Sequence, residues 1–195
     1  MRACWWRRVA ALTATIAVVM FEIALYRSET YPPALGLSLA IVGTLFLGAL
    51  ALLHQIHAQE WSGLARFGFA ISAAGLGVWI VGGAMNALGL LRVDSQSTVT
   101  RFMLEVVRGP QAGWGLFCVG LVPIGVAATT ARLSLPMRLL LPIGGLFALG
   151  PPLKYLLGDQ VGGMTVLAAF GAGWLATAIL LFLESKGRLP RPKRS

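Results

Sequence analysis

The sequence predicts an all-α polytopic membrane protein, a bundle of about six transmembrane helices. Three observations predict it. Of 195 residues, 57% are hydrophobic and only 12% are charged, where soluble proteins average roughly 25%. The mean hydropathy is +0.78. The charged residues also cluster between apolar runs, as they do when lipid rather than water covers most of the surface.

Six runs reach or approach the ~20 residues that a helix needs to cross ~30 Å of hydrocarbon. The first, Val9 to Tyr26, follows a basic opening, WWRRVAAL, that resembles the start of a signal peptide. No small-residue cleavage site follows and Glu22 interrupts the run, so an uncleaved first helix is expected. The second, Ala34 to Leu53, is opened by Pro32 and Pro33, where a missing N–H donor costs little. The third, Gly68 to Leu91, offers Ala70 with Ala74 and Ala73 with Gly77 as small-residue packing stripes.

Residues 92–112 form the longest loop. Val99, Phe102, Met103 and Val106 repeat at i, i+3, i+4, i+7, with Arg101, Glu105 and Arg108 on the opposite face. Ser95 or Ser97 can cap the start and Gly109-Pro110 stops the pattern, which predicts a short interfacial helix in the 92–112 loop. The fourth run is Gly113 to Ala131 and contains Pro123. The fifth, Met137 to Leu157, carries Pro142, Pro151 and Pro152 with Gly144, Gly145 and Gly150, so a kink or break near its outer end is expected. The sixth, Gly163 to Leu183, aligns Ala168, Ala172 and Ala176 on one stripe and Ala169, Gly173 and Thr177 on the next. Residues 1–185 thus read as one transmembrane domain and 186–195 as a basic tail. GLGVW at Gly75–Trp79 and GAGW at Gly171–Trp174 hint at three spans per half, an inverted repeat.

Orientation follows from the basic residues. With a cytoplasmic N-terminus the inner side holds Arg2, Arg7, Arg8, Arg66, Arg132, Arg138, Lys186, Arg188, Arg191, Lys193 and Arg194, eleven residues. The outer side holds Arg27, Arg92, Arg101, Arg108 and Lys154, five residues. That bias places both termini in the cytoplasm. Trp5, Trp6, Tyr26, Tyr31, Trp61, Trp114 and Tyr155 fall near span ends, where amphipathic rings form interfacial belts. The net charge of +9 could suggest nucleic acid, but its concentration at span flanks and in the tail is a membrane-anchoring pattern, and no nucleic-acid partner is expected.

Three polar residues interrupt the hydrocarbon: Glu22, Asn86 and Lys154, each a few residues below the outer surface. A charge at that depth costs ~2.5–3.5 kcal/mol on insertion scales, so Glu22 and Lys154 are expected to pair or to reach water. Together the three are the candidate ligand-binding site, with a Lys154 that snorkels and a Glu22 that pairs with Arg27 or Arg92 as the plainer alternative. His54, His57 and Glu60, in LHQIHAQEW, are weak candidates for a metal site, because a three-residue repeat drifts around a helix and no second ligand cluster follows. No metal or other cofactor is predicted. Cys4 and Cys118 fall at opposite depths and cannot form a disulfide. Nothing resembles a nucleophile with its base or a paired-carboxylate site, so no enzyme activity is expected.

The blocks YPPALGLSLAIVGTLFLGALALLHQ, LARFGFAISAAGLGVWIVGGAMNALGL and GLFCVGLVPIGVAATTARLSLPMRLLLPIGGLF resemble the uncharacterised small six-span integral membrane proteins of bacteria. The resemblance rests on Gly, Ala and Leu patterning. It implies a bacterial cytoplasmic (inner) membrane setting and carries over no site residue. Two classes of function are therefore expected. One is a non-enzymatic accessory or assembly subunit, which uses small-residue faces against a membrane protein partner or a second copy. The other is a small-solute transporter or ligand-binding membrane protein using Glu22, Asn86 and Lys154.

Overall fold

The computed structural model describes residues 2–26, 32–57, 59–88, 110–131, 133–145 and 159–188. They form six helices and, among the described residues, no strand: α1 (Arg2–Tyr26), α2 (Pro32–His57), α3 (Gly63–Ala87), α4 (Pro110–Thr130), α5 (135–145) and α6 (Asp159–Ser185). Five of them, all but α5, are long and apolar enough to cross a membrane, the architecture of a multi-pass membrane protein. Lys154, the predicted interfacial helix and the predicted break beyond Pro142 lie outside the described residues. Pro142 itself is exposed on α5 and stays within the helix.

Local signals set the helix ends. Ser62 is extended (φ −68°, ψ 167°) and its Oγ accepts from the Ala65 N–H at 3.3 Å, an N-cap for α3. The Ser134 carbonyl accepts from Met137 N–H (3.1 Å) and Arg138 N–H (3.3 Å) at the start of α5, whose first turn tolerates Pro136. Gly187, at φ +69°, stops α6. Its N–H donates to Glu184 O and that of Arg188 to Leu183 O, both at 3.1 Å, a Schellman motif that needs a left-handed residue at this position. Inside the helices, Thr13, Thr15, Thr44, Thr129 and Thr177 donate to the carbonyl four residues back, so their hydroxyls need no water.

The helices close into a ring. α1 packs on α2, α2 on α3, α3 on α4, and α1 also on α6. Contacts at three glycines complete it: Gly125 of α4 faces Leu141 of α5, Gly144 of α5 faces Cys118, and Gly173 of α6 faces Ile143 of α5. The α3–α4 seam is held by glycines at both of its ends. A Cβ on Gly68 would lie 2.5 Å from the Gly120 carbonyl, and one on Gly113 2.7 Å from the Gly75 carbonyl, so the two backbones touch. Ser72 Oγ donates to Phe117 O across it at 2.9 Å. With little hydrophobic drive between helices in lipid, such backbone contact supplies the dispersion that holds them. The stripes predicted for this helix face elsewhere. Ala70 and Ala74 are exposed and Gly77 has nothing within 4 Å, because Gly68, Ser72, Gly75 and Trp79 form the buried face.

Seven aromatic rings interlock at the centre: Phe21 from α1, Phe46 from α2, Trp79 from α3, Trp114 and Phe117 from α4, and Phe170 and Trp174 from α6. Phe46 is the hub, with ring centroids 5.3 Å from Trp174, 5.7 Å from Phe117, 5.8 Å from Phe170 and 6.3 Å from Trp79. Such pairs add ~0.5–1.5 kcal/mol each beyond area burial. Half-buried Trp114 and buried Trp61 pack against aromatic neighbours, whereas Trp5 stays exposed.

Candidate functional site

The end of the ring at which α1 begins is termed basal and the other end distal. At the basal end Arg7 Nε lies 3.6 Å from Glu184 Oε2, joining α1 to α6. One turn nearer the terminus, the Cys4 thiol donates to the Ser185 carbonyl at 2.9 Å. His57, the last residue of α2, is buried. Its Nδ1 is 3.0 Å from Glu60 Oε2 and its Nε2 is 3.5 Å from Ser134 Oγ, so it ties the α2–α3 turn to the start of α5. Arg138 closes the cluster by donating from Nε to Leu133 O at 2.8 Å.

Among the described residues, four of the six buried polar side chains, His57, Ser134, Glu184 and Ser185, belong to this end. Sequence reasoning missed Arg7–Glu184 because both residues look like ordinary membrane-flanking charges. The order Ser134–His57–Glu60 is that of a hydrolytic triad. The Ser134 residue is only 4% exposed, and the three groups link the α2–α3 turn to the start of α5.

His54 turns away from His57. Its ring stacks on Phe69 at 4.6 Å and meets Trp61 edge-on at 4.5 Å. The candidate ligands thus split: His57 and Glu60 stay together, while His54 belongs to an aromatic cluster. Among the described residues no three of His, Cys, Asp or Glu come together as a metal site. Cys4 and Cys118 are both free, the latter buried in the core.

Glu22 and Asn86 both lie toward the distal end, on different seams. Asn86 is half-buried on α3, and its Cβ lies 3.1 Å from where a Cβ on Gly36 of α2 would sit. Glu22 lies on the α1–α6 seam, exposed on the outside of the ring. Its Oε1 occupies the space in front of Gly171, where a Cβ would be 2.5 Å away. No family model, curated protein or solved structure matches the chain.

Proposed function

We propose that this chain is a non-enzymatic accessory or assembly subunit of a bacterial cytoplasmic membrane, crossing it six times with both termini cytoplasmic. The observation that carries the reading is the centre of the ring. Five of its six helices meet there through interlocked aromatic side chains, which leaves the centre occupied by rings rather than by polar lining for a solute. Function then falls to the outer faces, where small and apolar residues meet neighbours in the bilayer.

Chain direction supports the sixth crossing. α4 ends near Ser134 and His57 at the basal end, while α6 also ends there, at Glu184. Asp159 stands 25 residues before Glu184 on one helix, about 37 Å away at 1.5 Å per residue. The described α5 (135–145), which follows α4 in sequence and packs against α4 at Gly125 and α6 at Gly173, supports a further crossing. The excess of Lys and Arg on the basal side supports a cytoplasmic basal end.

The test is purification of the tagged protein from its native membranes in mild detergent, with co-purifying chains and small molecules quantified together. A second membrane protein at a fixed ratio supports the proposal. A protein recovered only with itself and a reproducible small molecule, lost in Glu22→Gln, would replace it with the solute-binding reading.

A further inference from the structure

We propose that the basal end of the α1–α6 seam holds an anionic phospholipid, with Arg8 and Lys186 on its phosphate and an acyl chain in the apolar groove beyond them. This rests on the helices crossing a bilayer and goes beyond the accessory-subunit reading. Cys4 meets Ser185, Arg7 meets Glu184 and Glu22 meets Gly171, so α1 and α6 run antiparallel, side by side, from the basal end. In that register Phe182 stands at the level of Arg8. Arg8 follows Cys4 by about one turn and Phe182 follows Gly171 by about three, so both sit on the seam side of their helices. Both are exposed. Lys186, rather than extending past the end of α6, folds back until its Nζ lies 5.5 Å from the centre of the Phe182 ring. The ammonium thereby returns to the level of Arg8.

Two cations thus stand at this mouth of the seam, and no acidic side chain answers them. Among the described residues neither Arg8 nor Lys186 has an ion pair. The whole sequence holds seven Asp and Glu, of which Glu60 and Glu184 are basal and meet His57 and Arg7. Glu22 lies toward the distal end of α1. Glu29, Asp94 and Glu105 fall in the connections between distal helix ends, and Asp159 opens α6 there. The charged side chains that follow Lys186, namely Arg188, Arg191, Lys193 and Arg194, are all basic. The surroundings of the two cations select a lipid over a free phosphate. Leu12 follows Arg8 on α1, and Ile179 and Leu175 continue from Phe182 on α6, exposed apolar side chains that lead from the charges toward the middle of the bilayer. A ligand with an anion at one end and hydrocarbon at the other matches both parts, as anionic headgroups do in basic pockets between membrane helices. Trp5, 63% exposed at the same end, adds an amphipathic ring of the kind that sits at headgroup level.

The experiment titrates the delipidated full-length protein in mild detergent with phosphatidylglycerol or phosphatidylcholine and reads retained lipid by native mass spectrometry. The expected result is one phosphatidylglycerol per chain, held roughly tenfold more tightly than phosphatidylcholine and not displaced by millimolar inorganic phosphate. That preference should disappear in Arg8→Gln/Lys186→Gln, with thermal stability unchanged. It should persist in Arg8→Lys/Lys186→Arg, which keeps both charges, and in Arg66→Gln, which removes an exposed basal cation of α3. The proposal is overturned by equal retention of the two lipids, by displacement with inorganic phosphate, by a preference that survives the double Gln variant, or by an equal loss in Arg66→Gln. It fails separately from the accessory reading. A partner chain on purification without lipid preference overturns this proposal alone, and lipid preference in a protein that purifies without any partner overturns the accessory reading alone.

Discussion

Arg7 and Glu184, at opposite ends of the sequence, meet at 3.6 Å and tie the first helix of the ring to the last. Their side chains are 17% and 7% exposed, so neither charge is well solvated. Removing one partner leaves the other in a poorly hydrated place, which costs more than the pair itself contributes. Glu184→Ala should lower stability by about 3 kcal/mol. The double variant Arg7→Leu/Glu184→Leu should recover most of that loss. Denaturant titration in detergent distinguishes the two, and equal losses in both would mean that the contact is not a closed pair.

The α3–α4 seam predicts a contrast between two glycines one half-turn apart. A Cβ on Gly75 would collide with the Phe117 backbone nitrogen and lie 2.6 Å from the Gly113 carbonyl, whereas one on Gly77 meets nothing within 4 Å. Gly75→Ala should therefore cost about 1–3 kcal/mol. Gly77→Ala should be neutral or stabilising by up to ~1 kcal/mol through helix propensity. Thermal unfolding of the two variants side by side reads the difference.

Trp174 is fully buried and contacts Phe46 and Phe117. Truncation opens a cavity at the hub of the aromatic core, and Trp174→Ala should lose about 3–5 kcal/mol. If the centre is filled as described, liposomes containing wild-type protein also stay impermeable to small solutes. A flux assay on the same preparations checks this.

His54 and His57 should respond differently to one substitution. The His54 ring lies against Phe69 and Trp61, so His54→Phe keeps its packing and should change stability by less than about 1 kcal/mol. His57→Phe removes its contacts with Glu60 and Ser134 and leaves the buried Ser134 hydroxyl without that partner. A loss of about 2 kcal/mol is expected, within the range for unsatisfied buried groups. Equal effects would contradict the split between the two rings.

Much of the fold was legible because hydropathy reports the hydrocarbon directly. The expected second span, Ala34 to Leu53, lies within α2 (Pro32–His57), and the expected sixth, Gly163 to Leu183, within α6 (Asp159–Ser185). The helices overrun the apolar stretch because backbone hydrogen bonding continues after the side chains turn polar. Which face packs was not legible. Alanine and glycine occur all around α3, and only the observed neighbours distinguish Gly75 from Gly77. The positions of Glu22 and Asn86 along their helices could be counted in the sequence, but their seams depend on the order of helices around the ring. Arg7 with Glu184 was invisible for a related reason: charges at span ends pair or stay solvated according to which helices become neighbours.

The central claim is a six-crossing ring with both ends of the chain on the cytoplasmic side, and membrane topology tests it most directly. Single cysteines Gln59→Cys, Gln96→Cys, Ala131→Cys and Ser195→Cys, in a Cys4→Ala/Cys118→Ala background, are treated in intact cells with a membrane-impermeant maleimide. The account predicts labelling at position 96 in intact cells, and at 59, 131 and 195 only after permeabilisation. Labelling of position 195 in intact cells, with 131 still protected, would mean five crossings and would contradict the ring.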